Sequence, residues 1–213
     1  DLDMPMGPAM IHTVVPSRWT SFKLGAPLRL TGSLTRDEYV GVAGRLGRAA
    51  PRIPMSVRVR FRPDRRRRTF RYRLCHNDDV TPALPYSLVA ASVYDLREMP
   101  TEHTVRYALN VEYGDLGRYR ASNVSCGWGL MDALWELDGV LTAMAYNPFA
   151  SPRLPERVDV EVTVEQGVID AAIEALSLDA PVYRPGDTVR GTLWIRPARQ
   201  ERTKLRVAFA LPS

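Results

Sequence analysis

Seventeen prolines and fourteen glycines are scattered through the 213 residues, and that density rules out a helical bundle. Proline removes a helix-interior hydrogen bond and glycine loosens the backbone, so the chain reads as many short strands between turns. Over the first fifty residues a turn signal recurs roughly every eight to twelve positions. These signals are Gly7-Pro8, Pro16-Ser17, Gly25-Ala26-Pro27, Gly32, Gly41, Gly44 and Gly47. Short apolar stretches, 10–15 and 28–34 among them, lie between. This spacing predicts strands of a barrel or sandwich. The glycines at 41, 44 and 47 do not make a phosphate loop, because they lead into Pro51 and Pro54 instead of a helix.

The clearest hairpin follows. Val57-Arg58-Val59-Arg60-Phe61 and Thr69-Phe70-Arg71-Tyr72-Arg73-Leu74 alternate apolar and charged residues, which predicts one buried and one wet face. Between them, Pro63-Asp64-Arg65-Arg66-Arg67-Arg68 reads as a basic loop, with Arg65, Arg66, Arg67 and Arg68 a candidate contact surface for an acidic or anionic partner. No aromatic residue interleaves with that run, which argues against a single-stranded nucleic-acid platform. Thr81-Pro82 predicts a helix start, Thr81 as N-cap and Pro82 at the first helical position, with Leu84, Leu88, Ala91 and Tyr94 or Asp95 on one stripe to about Leu96. A second helix is expected over 130–143, where Leu130, Leu134, Leu137 and Leu141 form a core stripe. Strands are expected at 104–111 and 118–124, around a Tyr113-Gly114-Asp115 turn.

After the punctuated connector 147–155, the alternation from Val158 to Val164 is a strand by pattern alone. Further strands are expected at 171–178, 188–195 and 203–211, with a tight turn at Tyr183-Arg184-Pro185-Gly186-Asp187. That end resembles the first strands of an immunoglobulin-like sandwich, which needs about seven. The chain therefore divides, on sequence, into a region 1–156 and a region 157–213. The expected class is mainly β (α+β).

A content of 45% hydrophobic and 25% charged residues with a net charge of +5 suits one or two globular domains. No apolar run approaches the roughly 18–20 residues of a membrane helix. Arginine outnumbers lysine, 27 to 2, a lopsidedness that a coding bias explains without a nucleic-acid partner. The chain starts at Asp1-Leu2-Asp3-Met4-Pro5 without an initiator Met or a signal-like segment, and a longer parent polypeptide is the expectation.

Chemistry-bearing residues are sparse. His12, His76 and His103 lack metal-ligand spacing, and Cys75-His76 are adjacent, so they would point to opposite faces of a strand. Cys75 and Cys126 are the only cysteines; a disulfide between them and two free thiols both remain open. Ser125-Cys126-Gly127-Trp128-Gly129 is the nearest approach to a nucleophile elbow and does not fit it, and Ser17, Ser21 and Ser33 have no such context. No catalytic, cofactor-binding or metal-ligating residue is assigned, and no cofactor is expected.

Several segments carry a resemblance: Asp1 to Met6, Ile11 to Ser17, Ser21 to Gly25, Gly32 to Asp37, Gly41, and Gly44-Arg45-Leu46-Gly47, with Asn147-Pro148-Phe149 and the Arg184-Pro185-Gly186-Asp187-Thr188-Val189 turn further on. Together they resemble the stage IV sporulation protein B (SpoIVB)-type serine peptidases, in particular the large exported versions of non-sporulating bacteria. The most specific portion is residues 1–60. The resemblance implies a chymotrypsin-like barrel portion over 1–156 followed by a partial immunoglobulin-like sandwich over 157–213. The family's catalytic Ser stands in a Gly-Met-Ser-Gly-Ser-Pro phrase and its His in a Gly-His phrase, and neither occurs in this sequence. The implied role is thus a non-catalytic C-terminal portion of an exported peptidase, completing its barrel or remaining as a processed fragment, periplasmic or at the cell surface. Its partner would be the remainder of the parent polypeptide or another protein chain, with neither nucleic acid nor a transmembrane span. The alternative is a structural or binding component of a bacterial envelope assembly.

Overall fold

A computed structural model describes residues 2–18, 21–62, 66–126 and 128–212. Asp1, Pro63, Asp64, Arg65 and Gly127, which figured in the sequence reading, lie outside the described residues. Five short strands occupy the first fifty positions, as the turn signals require: β1 (Met4–Met6), β2 (Ala9–Val15), β3 (Phe22–Pro27), β4 (Gly32–Glu38) and β5 (Gly41–Leu46). They form two antiparallel sheets, β1-β4-β5 and the ribbon β2-β3. Glycine at position 32 lets β4 pass tightly against β5, since a Cβ there would run into the carbonyl oxygen of Arg45. The buried Ser33 hydroxyl donates to Asp3 Oδ1 at 3.0 Å, and Arg48 donates to Asp3 Oδ2 at 2.7 Å. One carboxylate thereby ties the first strand to the far ends of the β4-β5 hairpin.

The middle of the chain is built on alternation. β6 (Arg52–Arg62) and β7 (Arg67–Cys75) form the expected hairpin, followed by a 3-10 turn (Thr81–Ala83) and α1 (Leu84–Leu96). Next come β8 (His103–Glu112), β9 (Arg118–Ser125), α2 (Leu130–Ala145) and β10 (Arg157–Gln166). The five strands make one sheet in the order β7-β6-β10-β8-β9, with β10 parallel to β6 and all other neighbours antiparallel. One sheet face carries Met55, Val57, Val59 and Phe61 of β6, Val158 to Val164 of β10 at alternate positions, and Val105, Leu109 and Val111 of β8, all buried. Both helices cover that face. α2 contributes Leu130, Leu134, Leu137 and Leu141, the stripe expected from its sequence, and α1 contributes Val89 and Val93. Each such side chain stabilises the fold by roughly 1.5–3 kcal/mol through removal from water.

Three expectations are corrected here. β10 was expected to open the second region, yet it is the central strand of this sheet, so a division at 156 cuts through one hydrogen-bonded unit. Thr81 does not cap α1: its hydroxyl donates to the Cys75 carbonyl at 2.6 Å and accepts from the Asn77 amide at 3.0 Å, closing the loop after β7. The buried stripe of α1 is Pro85, Val89, Ser92 and Val93, one residue on from the expected Leu84, Leu88, Ala91 stripe, and Tyr94 is exposed.

Beyond β10, strands β11 (Ala171–Leu178), β12 (Thr188–Pro197) and β13 (Thr203–Ala210) form an antiparallel meander close to the expected bounds. The turn before β12 has Gly186 at φ +85°, a conformation that favours glycine, and Asp187 accepts from the Arg184 amide at 2.7 Å. Trp194 lies under the cations of Arg202 and Lys204, 4.0 and 4.4 Å from its ring centre. The fold is thus mainly β with two helices. Among the described residues none of the four sheets closes into a barrel: the ribbon β2-β3 pairs with no other described strand, which breaks the continuous ladder that closure demands.

Candidate functional site

The side of the five-stranded sheet away from the helices is open and charged. Strand alternation puts Arg52, Arg58, Arg60 and Arg62 of β6 there, with Arg67, Arg71 and Arg73 of β7, all exposed. Towards β10 and β8 the charges are matched. Arg58 bonds Glu161 across the parallel pair, Arg62 and Arg106 share Glu165 at 3.2 and 3.4 Å, and Arg157 holds Asp159 at 2.7 Å. Burial alone would raise the Asp159 carboxyl, but hydrogen bonds from Arg157 and Ser56 outweigh it and hold the group below the usual carboxylate value. Towards β7 the matching stops: among the described residues Arg60, Arg67, Arg71 and Arg73 have no carboxylate partner. Arg60 and Arg67 stand directly opposite each other.

The end of the basic run is strand where a loop was expected: Arg67 and Arg68 already belong to β7, and the Arg66 carbonyl accepts from the Phe61 amide at 2.8 Å, whereas Pro63, Asp64 and Arg65 lie outside the described residues. Arg68 turns to the helix side, pairing with Asp95 of α1 at 2.9 Å and lying 4.6 Å from the Phe70 ring centre. Arg67 faces the open side. Arg67 and Arg68 therefore point to opposite faces of the sheet.

A second polar cluster sits where β9 enters α2. The Ser125 hydroxyl donates to Asp132 and accepts the Gly129 amide at 3.0 Å, so it joins strand to helix and is not presented as a nucleophile. His103 engages the Pro100 carbonyl through Nδ1 at 2.7 Å, while its Nε2 packs against Gly129. Gly129 has φ +59°, and a Cβ there would collide with that nitrogen. Thr104, wholly buried, donates to the Gly167 carbonyl at 2.8 Å and touches the Cys126 sulfur at 3.3 Å. His12 and His76 are exposed elsewhere, and among the described residues no three metal-ligating side chains converge.

Beneath α2, Glu136 accepts from the hydroxyls of Tyr107 at 2.6 Å and Tyr119 at 2.8 Å. Burial, then the Glu136 hydrogen bond, pushes the Tyr107 phenol up to about 12, and the same carboxylate raises Tyr119. Burial alone pushes Tyr113 up to about 12, because its hydroxyl has no hydrogen-bond partner. Tyr113 lies at the edge of an apolar cleft of about 310 Å³ that Leu116, Val140 and Met144 also line.

Cys75 and Cys126 are both free thiols. Cys75 is the last residue of one edge strand, β7, and Cys126 follows the other, β9, and four interstrand spacings separate those edges by about 19 Å. They also lie at opposite ends: Cys75 pairs with the first residue of β6, whereas Cys126 follows Ser125, whose row leads through Val105 and Val164 to Phe61 near the last. A disulfide needs Cα atoms within about 7 Å, so this intrachain bridge does not form.

The sequence reading placed the hairpin arginines on one wet face but missed that those towards β7 lack carboxylate partners among the described residues, because that depends on which strands lie beside the hairpin. It also missed the Glu136 cluster, whose members come from β8, β9 and α2 and carry no local motif. No helix among the described residues is long and apolar enough to cross a membrane. Comparison with family models, curated proteins and solved structures gives no match.

Proposed function

We propose that this chain is a binding portion of an exported SpoIVB-type serine peptidase, contributing surfaces that complete the enzyme or wall its groove. The observation that carries this reading is apolar surface on uncovered β-structure. Val14, Phe22 and Leu24 on the β2-β3 ribbon, and Val42 and Leu46 on β5, are each more than half exposed (54%, 55%, 52%, 63% and 79%). Ile173, Leu176 and Phe209 on the last sheet are exposed to a similar degree (71%, 55% and 54%). Apolar side chains gathered on open sheets gain free energy when further protein covers them. The motif resemblance names the family; the engaged Ser125 hydroxyl agrees with a role outside the nucleophile.

Titration of the purified chain with a fluorophosphonate probe tests the assignment. The expected result is no labelled serine, since removal of any triad member cuts peptidase turnover by several orders of magnitude. Stoichiometric labelling of one serine would overturn it.

A further inference from the structure

We propose that β7 is a docking edge for an acidic extended segment of another polypeptide, added as a sixth strand to the five-stranded sheet. This inference does not depend on membership of the peptidase family. Three observations support it. First, β7 is an outer strand of nine residues without proline, hydrogen-bonded in the sheet only to β6, so its outer row of backbone N–H and C=O groups can pair with an incoming strand. Second, Arg67, Arg71 and Arg73 project from this strand onto the open face. At the strand rise Arg71 and Arg73 lie two residues apart, about 7 Å, and Arg67 lies four residues before Arg71 with Thr69 between, so all three fall in step with every second side chain of an added strand.

Third, among the described residues these cations have no carboxylate partner. Glu161, Glu165 and Asp159 serve the arginines nearer β10, while Arg60 and Arg67 face each other across the hairpin. Directly opposed like charges destabilise a sheet, and a carboxylate placed beside them would relieve that repulsion. The same charges repel a second copy of β7, so the edge rejects its own kind and admits a strand of opposite sign. The aromatic rings of the hairpin, Phe70 and Tyr72, lie on the helix side. The open face thus offers no stacking surface for nucleic-acid bases, and the geometry favours a peptide.

The test is fluorescence anisotropy on the full chain with a labelled nonapeptide of alternating Glu and Thr. Salt-sensitive binding is expected, together with a loss of about tenfold or more in the double variant Arg71→Glu, Arg73→Glu. Arg120→Glu, on the opposite edge strand, is expected to leave binding intact. A version of the peptide N-methylated at alternate residues, which cannot form the ladder, is expected to bind at least tenfold more weakly. The proposal is overturned if the nonapeptide does not bind, or if the N-methylated peptide binds equally well. It is also overturned if a single-stranded DNA nonamer or phosphatidylserine vesicles bind more tightly than the peptide. Circular dichroism of each variant separates loss of the edge from loss of the fold.

Discussion

Tyr113 illustrates how one atom can set a local energy balance. Its ring fills the base of the core, but its hydroxyl is buried without a partner, and an unsatisfied buried polar group costs about 1–3 kcal/mol. Tyr113→Phe is therefore expected to stabilise the protein by about 1 kcal/mol in denaturant unfolding; destabilisation would mean that the hydroxyl has found an acceptor. The phenols of Tyr107 and Tyr113 also set an alkaline limit. Each is raised from 10.0 to about 12 in the folded protein, so the folded state holds its protons more tightly than the unfolded chain. Their stabilising contribution is complete below about pH 10 and is lost as pH rises towards 12. Melting temperature is expected to fall across that window, and less steeply in Tyr113→Phe. Nothing in the local sequence announces these effects, because burial of Tyr113 and the meeting of Tyr107 and Tyr119 at Glu136 arise only when α2 docks on the sheet.

Elements differ in how far their own residues determine them. The α2 face was legible because Leu130, Leu134, Leu137 and Leu141 are the helix's only leucines and lie on one stripe. In α1 two apolar stripes overlap one residue apart, Leu84 with Leu88 and Val89 with Val93, and packing against α2 and β6 selects the second. β10 was legible as a strand from its alternation, but its position was not. Its parallel partner β6 lies about a hundred residues away, as in the Ser56–Asp159 pair, and no local pattern encodes such a pairing. Since β10 is buried at the sheet's centre, Val160→Asp would place an unpaired carboxylate there, and a loss of more than about 4 kcal/mol with non-cooperative unfolding is expected in thermal melts. A variant that melted like the parent would remove β10 from the centre. Gly129→Ala combines a positive φ with a clash at His103; a cost of about 1–3 kcal/mol is expected in denaturant unfolding.

At the scale of the molecule, a helix-backed central sheet is flanked by shorter sheets whose apolar residues remain in contact with water. The mainly β class followed from punctuation and alternation, whereas barrel closure and the boundary at 156 depended on which strands meet, which single strands do not reveal. The cysteines report the same geometry. Alkylation under non-reducing conditions is expected to modify both Cys75 and Cys126, and an unmodified, reductant-sensitive pair would contradict the sheet order. The central claim is that the exposed ribbons serve a peptidase. Its most direct test replaces Phe22 with a photo-crosslinking amino acid, irradiates the protein in its native host and treats the adducts with a fluorophosphonate. The predicted result is a crosslink to polypeptide carrying one fluorophosphonate-labelled serine. Adducts with no labelled serine, or a labelled serine within residues 1–213 themselves, would contradict it.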